Sequence, residues 1–406
     1  MVFETHTLSN GIRLIHRPIN LNVAHCGILL NTGSRDEQED EWGMAHFIEH
    51  VIFKGTRKRK AYHILSRMDD VGGEINAYTT KEETCIYATF LDKDYNRALE
   101  LISDITFNSV FPEKELEKEK EIIIDEINSY KDSPSELIFD DFEELIFHKD
   151  PIGRNILGTP KNIKKFNKED ILRFIQNNYH TDQMVIASVG NIPFKKLVKQ
   201  VERYFGDVPT NLRVEKRQKP NSYEPFSKTL IKNTYQSHCI VGNVAYDLND
   251  DRRITLSLLS NILGGPGMNS RLNLSLREKH GLAYNVESNY TPYFDTGVLN
   301  IYFGTDKDNL NRCLNLVYKE MDRLCNQKLG LLQLKRAKNQ MIGQIAISSE
   351  NNENLMLSIG KSYMMYNKVD TLAEVYKKVE AITAEQLMEV ANEILNKDKL
   401  TTLIYK

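Results

Sequence analysis

Apolar and polar positions alternate over the first 33 residues. T-H-T-L and I-R-L-I-H flank Asn10-Gly11, which predicts two strands joined at a turn. A second apolar run at 26–30 predicts a strand that ends at Thr32-Gly33-Ser34. An acidic loop at 36–41 follows, and then the Pro-free stretch M-A-H-F-I-E-H-V-I-F, which reads as helix. Acidic residues suit the positive end of such a helix. Gly72-Gly73 breaks the next segment, and the β-branched and aromatic residues beyond it predict strands from about 75 and at 85–90. Residues 92–107 read as an amphipathic helix. At 113–130, Leu116, Ile123, Ile127 and Tyr130 recur at helical spacing without Pro or Gly. Asp132-Ser133-Pro134 ends that helix, and another is predicted at 135–148. Asn167, three residues before Asp170, reads as a helix cap, and 183–189 as a strand.

Residues 208–225 are polar, basic and Pro-containing, and read as a linker. Beyond it the pattern starts again. V-A-H-C-G-I-L-L has a counterpart in Q-S-H-C-I-V-G-N, D-K-D-Y-N-R-A-L-E-L in D-K-D-N-L-N-R-C-L-N-L, and 168–187 in 384–403. The chain therefore reads as an α+β duplication: domains at 1–207 and 226–406, each a mostly antiparallel sheet with helices packed on it.

A length of 406 residues asks for more than one core. A net charge of −3 and pI near 6.4 give no reason to expect a nucleic-acid surface. Apolar runs fall short of the ~20 residues of a membrane span, and the first residues lack the apolar core of a signal peptide. Five cysteines without C-x-x-C spacing read as buried free thiols in a reducing compartment. These features lead us to expect a cytoplasmic protein with no membrane or nucleic-acid partner.

The chemistry gathers in the helix after the acidic loop. His46 and His50 stand four residues apart, which puts both rings on one helical face, about 6 Å apart along the axis. Glu49 shares that face. Zinc takes neutral imidazoles at about 2.0–2.1 Å, and a hydrolytic site keeps a position open for water, whose proton a nearby carboxylate can accept. The order H-x-x-E-H inverts the commoner H-E-x-x-H. A third ligand must come from elsewhere, and Glu126 is the best candidate, 76 residues after His50 (126 − 50). Glu119, two helical turns before it, faces the same way. One of the two could bind metal while the other orients a histidine ring. The basic run 54–60 reads as a solvated loop.

H-x-x-E-H followed by this glutamate resembles the inverzincin metallopeptidases, among them pitrilysin, insulysin and the mitochondrial processing peptidases. The resemblance covers nearly the whole chain. It implies that His46, His50 and Glu126 bind zinc, that Glu49 is the general base, and that Glu119 supports the site. It also implies that a peptide substrate pairs with an edge strand at Asn76, Ala77 and Tyr78, a mode that holds a backbone regardless of side chain.

Aligned on Gly55 and Gly264, the second copy has Thr255, Leu258 and Leu259 where the first has His46, Glu49 and His50, so a second zinc site is not expected. Gly264-Gly265-Pro266-Gly267 is expected as the turn after that helix, not a phosphate loop. Arg277 and Tyr284 offer a cationic and a neutral donor suited to a carbonyl oxygen that gains charge. In the family an Arg-x6-Tyr pair at this place binds substrate. The expected function is a zinc endopeptidase for unfolded peptides or presequences, acting as a homodimer. The alternative is a non-proteolytic peptide-binding or assembly subunit on the same scaffold.

Overall fold

The computed structural model describes residues 3–220, 223–232 and 234–406. The first half of the chain runs β1 (Glu4–Thr7), β2 (Arg13–Pro18), β3 (Val23–Leu30), α1 (Met44–Val51), α2 (Ala61–Asp69), β4 (Glu74–Thr79) and β5 (Thr84–Leu91). It continues through α3 (Tyr95–Phe107), α4 (Glu113–Lys131), α5 (Pro134–Ile146), α6 (Pro160–Ile163), α7 (Lys168–Asn178), β6 (Met184–Gly190) and α8 (Phe194–Phe205). The second half runs β7 (Ser227–Leu230), β8 (Ser237–Val244), α9 (Arg253–Gly264), a π-helical turn (Asn273–Glu278), β9 (Ala283–Pro292) and β10 (Gly297–Thr305). It ends with α10 (Leu310–Asn326), α11 (Leu331–Ser349), α12 (Asn352–Tyr366), α13 (Leu372–Ala381), α14 (Ala384–Ile394) and β11 (Thr401–Tyr405). No helix of the described residues is long and apolar enough to cross a membrane.

These elements form two units. The first holds residues 1–128, 154–217 and 347–370, and the second holds 129–153, 218–346 and 371–406. The first sheet has the order β1-β2-β6-β3-β5-β4, antiparallel except for the β2–β6 pair. The second has the order β7-β11-β8-β10-β9, antiparallel except for β7–β11. Strand for strand, β2, β6, β3, β5 and β4 match β7, β11, β8, β10 and β9, as the repeated sequence stretches require. The α+β architecture read from the sequence is therefore present in both copies.

Within the first unit, α1, α3, α7 and α8 bury their apolar stripes on one face of the sheet. In α8 the stripe is Leu197, Val201 and Phe205, at a spacing of four. The α7 start is closed by the expected box: Asn167 Oδ1 accepts from the Asp170 amide and Asp170 returns the bond. The other face is covered by α12, whose Leu355, Met356 and Ile359 lie among Leu29, Val185 and Ala187. In the second unit, α9, α10 and α14 fill one face, and α5 covers the other through Ile138, Phe142 and Ile146.

Each half of the chain thus lends the covering helix of the other half's sheet, which periodicity alone does not reveal. The chain leaves the first unit after residue 128, inside α4, and the second after 346, inside α11. The expected linker is also partly built in. Arg213 and Arg217 bind the Asp36 carboxylate at 2.8 and 2.7 Å, and Arg217 also reaches Asn31 and the Glu82 carbonyl. Of the remaining linker, Asn221 and Ser222 lie outside the described residues.

Candidate metal centre

Helix α1 starts abruptly, because Gly43 before it has φ +98°, a left-handed conformation that suits glycine. A Cβ there would meet Gly158 Cα and the Leu157 carbonyl at 2.9 Å. Two of the free amides of this start are satisfied by Glu37, which is buried. Its two oxygens accept from Gly43 and Ala45, each at 2.9 Å. The acidic loop therefore meets the helix start as expected, through this one residue. Burial pushes the Glu37 carboxyl well above its ordinary range, against the two amides and Arg154. Met44, Phe47, Ile48 and Val51 bury the apolar face, which leaves His46, Glu49 and His50 on the other.

Helix α4 lies beside that polar face. Leu116, Ile123 and Ile127 anchor it in the core, and Glu119 and Glu126 project toward α1. His50 Nδ1 lies 3.2 Å from Glu119 Oε2, and His50 Nε2 lies 3.6 Å from Glu126 Oε2. A carboxylate can only accept, so the His50 tautomer protonated on Nδ1 donates to Glu119 and leaves Nε2 free to act as a ligand. His46 Nε2 lies 3.8 Å from the same Glu126 oxygen, and the two rings stand 4.7 Å apart. Burial, with His50 adding to it, lowers the His46 pKa to about 4, so the ring is neutral and fit to be a ligand.

Among the described residues, His46, His50 and Glu126 form a group whose ligand atoms all lie within 4.8 Å of one another. A tetrahedral ion with bonds of about 2.0–2.1 Å spaces its ligands about 3.3 Å apart, so the separations fit zinc after a small inward adjustment. Accessibility rises from His46 through His50 to Glu126, whose side chain is 43% exposed. The group therefore has a solvent side from which water can enter.

Glu49 is half-buried on the same face. Burial raises its pKa, opposed by Thr79 and by His50 and reinforced by Glu126. Thr79 ends β4, the outermost strand of its sheet, so the carboxylate sits beside a strand whose far edge pairs with no other strand among the described residues. On β4, Asn76 is exposed, Ala77 and Tyr78 are half-buried, and the Tyr78 hydroxyl donates to Glu83 at 3.0 Å. In the second unit, Arg277 sits in the π-helical turn, and its guanidinium lies 5.3 Å from the centre of the exposed Tyr284 ring.

Thr255, Leu258 and Leu259 are all buried on α9. The basic run at 54–60, however, is not simply solvated. Lys54 Nζ lies 2.7 Å from Glu119 Oε1, and Arg59 pairs with both Glu100 and Asp104. Lys54, Glu37 and Thr79 escaped the sequence reading. For Glu37 the acidic loop was a signal. For Lys54 a charge run without its partner was not.

Known proteins resemble this chain along nearly its whole length. The family description "Insulinase (Peptidase family M16)" matches residues 16–160, and "Peptidase M16 inactive domain" matches 165–341. The protein named "Uncharacterized zinc protease YmxG" from Bacillus subtilis is 33% identical over 405 residues, covering 99% of this chain and 98% of that protein. An "Uncharacterized zinc protease" of Rickettsia bellii is 33% identical over 406 residues, covering 99% and 97%. Among solved structures, a protease from Helicobacter pylori superimposes with a TM-score of 0.91 at 20% identity, covering 100% of this chain and 99% of that one. A peptidase M16 inactive domain from Pseudomonas fluorescens gives 0.93 at 20% identity, covering 100% and 98%. The chain belongs to peptidase family M16.

Proposed function

We propose that this protein is a zinc endopeptidase that cleaves extended, unfolded peptides. The observation that carries the reading is the convergence of His46 and His50 with Glu126, with Glu49 on the histidines' own helix face beside Thr79 of the outermost strand β4. Zinc held by those three side chains would polarise the scissile carbonyl and lower the pKa of water. Glu49 takes the proton of the attacking water and passes it to the leaving amine. Its raised pKa suits a group that must first accept and then give a proton near neutrality. Glu119 holds the His50 ring in the tautomer that presents Nε2.

The peptide backbone pairs along β4 at Asn76, Ala77 and Tyr78, which places chain direction and register ahead of side-chain identity. Arg277 and Tyr284 donate to a substrate carbonyl. The protein acts in the cytoplasm on peptides or presequences, as a dimer of two copies.

The deciding experiment is cleavage of a peptide mixture by wild type and by Glu49→Gln, with zinc content measured on both. The expected result is one zinc per chain in each and a loss of cleavage of about 10²- to 10⁴-fold in the variant. A wild type that binds peptide without cutting it would establish the non-proteolytic subunit instead. Light scattering of the purified protein tests the dimer.

A further inference from the structure

We propose that Lys54 is a positioning residue of the metal centre, acting on His50 through Glu119. The inference rests on the zinc reading above and adds a residue to it. Glu119 is a two-ended contact: Oε2 faces His50 Nδ1 at 3.2 Å while Oε1 is held by Lys54 Nζ at 2.7 Å. Its side chain is only 5% exposed, so little water is available to satisfy the carboxylate in place of these partners. A carboxylate on a two-bond stem can turn. An ammonium on one oxygen removes that freedom and leaves the other aimed at the imidazole.

Lys54 is itself delivered by a pinned backbone. The Ser109 hydroxyl lies 3.1 Å from the Ile52 carbonyl and 2.8 Å from the Ile105 carbonyl, and the Val110 amide donates to the Gly55 carbonyl at 3.1 Å. The Arg57 amide donates to the Asn108 carbonyl at 3.0 Å, and the Thr56 hydroxyl to Asp104 at 2.8 Å. Gly55, at φ +150°, makes the turn directly after the lysine. The chain is therefore tied on both sides of Lys54, which distinguishes it from a lysine that meets a carboxylate by chance at the surface. The resulting order is Lys54, Glu119, His50: three side chains from two stretches 65 residues apart (119 − 54).

Losing a supporting partner of a metal ligand costs about 10- to 100-fold in metal affinity. Zinc affinity, read by competition with a chromophoric chelator on the full chain, therefore tests the role without relying on activity. Lys54→Met should weaken zinc binding by about tenfold, and Lys54→Arg, which keeps the charge, should recover most of it. In a Glu119→Gln background, Lys54→Met should cause no further loss, because the lysine then has nothing to act through. A purely structural lysine would instead lower the melting temperature while zinc affinity stayed at the wild-type level, and that result overturns the proposal. An equal loss in the Glu119→Gln background also overturns it. A wild type that takes up no zinc overturns the metal reading and this inference with it, whereas a zinc-binding wild type matched by Lys54→Met overturns this inference alone.

Discussion

Helices α1 and α9 occupy corresponding places in two copies of one fold, each between a central strand and the outermost strand of its sheet, yet they treat the same face in opposite ways. On α1 the face carries His46, Glu49 and His50. On α9 it carries Thr255, Leu258 and Leu259, all buried, with both leucines in the apolar core. The neighbouring helix differs in step. Helices α4 and α11 both have 19 residues, and matched end to end (331 − 113 = 218), Glu119 and Glu126 fall on Ala337 and Gln344. In the first copy an imidazole faces a carboxylate. In the second, the Asn261 amide donates to Gln344 at 3.0 Å. A face of candidate metal ligands and a core face are thus alternatives on one scaffold, decided by which side chains two helices present together.

The covering helices teach the same lesson in packing. By the same offset Gly360 of α12 matches Phe142 of α5, and by the His25–His238 match Leu29 of β3 meets its counterpart in Gly242 of β8. Where the helix has glycine the strand has leucine, and where the strand has glycine the helix has phenylalanine. A Cβ at Gly360 would stand 2.6 Å from Leu29 Cδ1, and one at Gly242 would stand 2.8 Å from Phe142 Cζ. Large and small residues have traded places across the interface.

The largest effects should come from the polar face. His50→Leu, which gives α1 the leucine of α9, should abolish zinc uptake and with it detectable peptide cleavage, both read on the purified chain. The reverse change, Leu259→His, should create no zinc site, because Ala337 and Gln344 offer no carboxylate. Leu258→Glu buries an unpaired charge and should cost about 3–5 kcal/mol in urea denaturation, whereas Glu49→Leu should cost far less. A small cost for Leu258→Glu would mean that the α9 face is not core.

The packing exchange predicts a loss of about 3–5 kcal/mol for Phe142→Ala and about 1–3 kcal/mol for the overpacked Gly360→Val, by the same measurement. Equal tolerance at both places would break the comparison. The smallest effect concerns acid. His16, buried in β2 beside Ser188, has its pKa lowered by burial to about 4. Below the ordinary histidine value of 6.5 the unfolded chain binds a proton that the folded chain refuses. His16 thus favours the fold at higher pH, and that support is lost as pH falls from 6.5 toward about 4. His16→Gln should make the stability loss between about pH 8 and about pH 5 shallower by roughly 2 kcal/mol.

Most elements were legible because their periodicity is local. The Asn10-Gly11 turn, the α7 cap at Asn167 and the stripe of α4 are each read within a few residues, and the duplication shows as repeated strings. The exchange of α5 and α12 was not legible, since both helices are amphipathic and nothing in their own spacing says which sheet they cover. The basic run after α1 was misjudged for a related reason: a charge is solvated or paired according to a partner that lies far along the chain.

By itself, then, the sequence determined that His46, Glu49 and His50 share a face, because covalent spacing on a helix leaves no other arrangement. It likewise determined that the second copy lacks them. Only the tertiary structure decided that Glu126 meets both imidazoles while Glu119 stands behind His50 with Lys54 at its back. Those contacts join residues some 65 to 80 positions apart. At such separations, what brings side chains together is the burial of α4 against the core, not any local preference of the backbone.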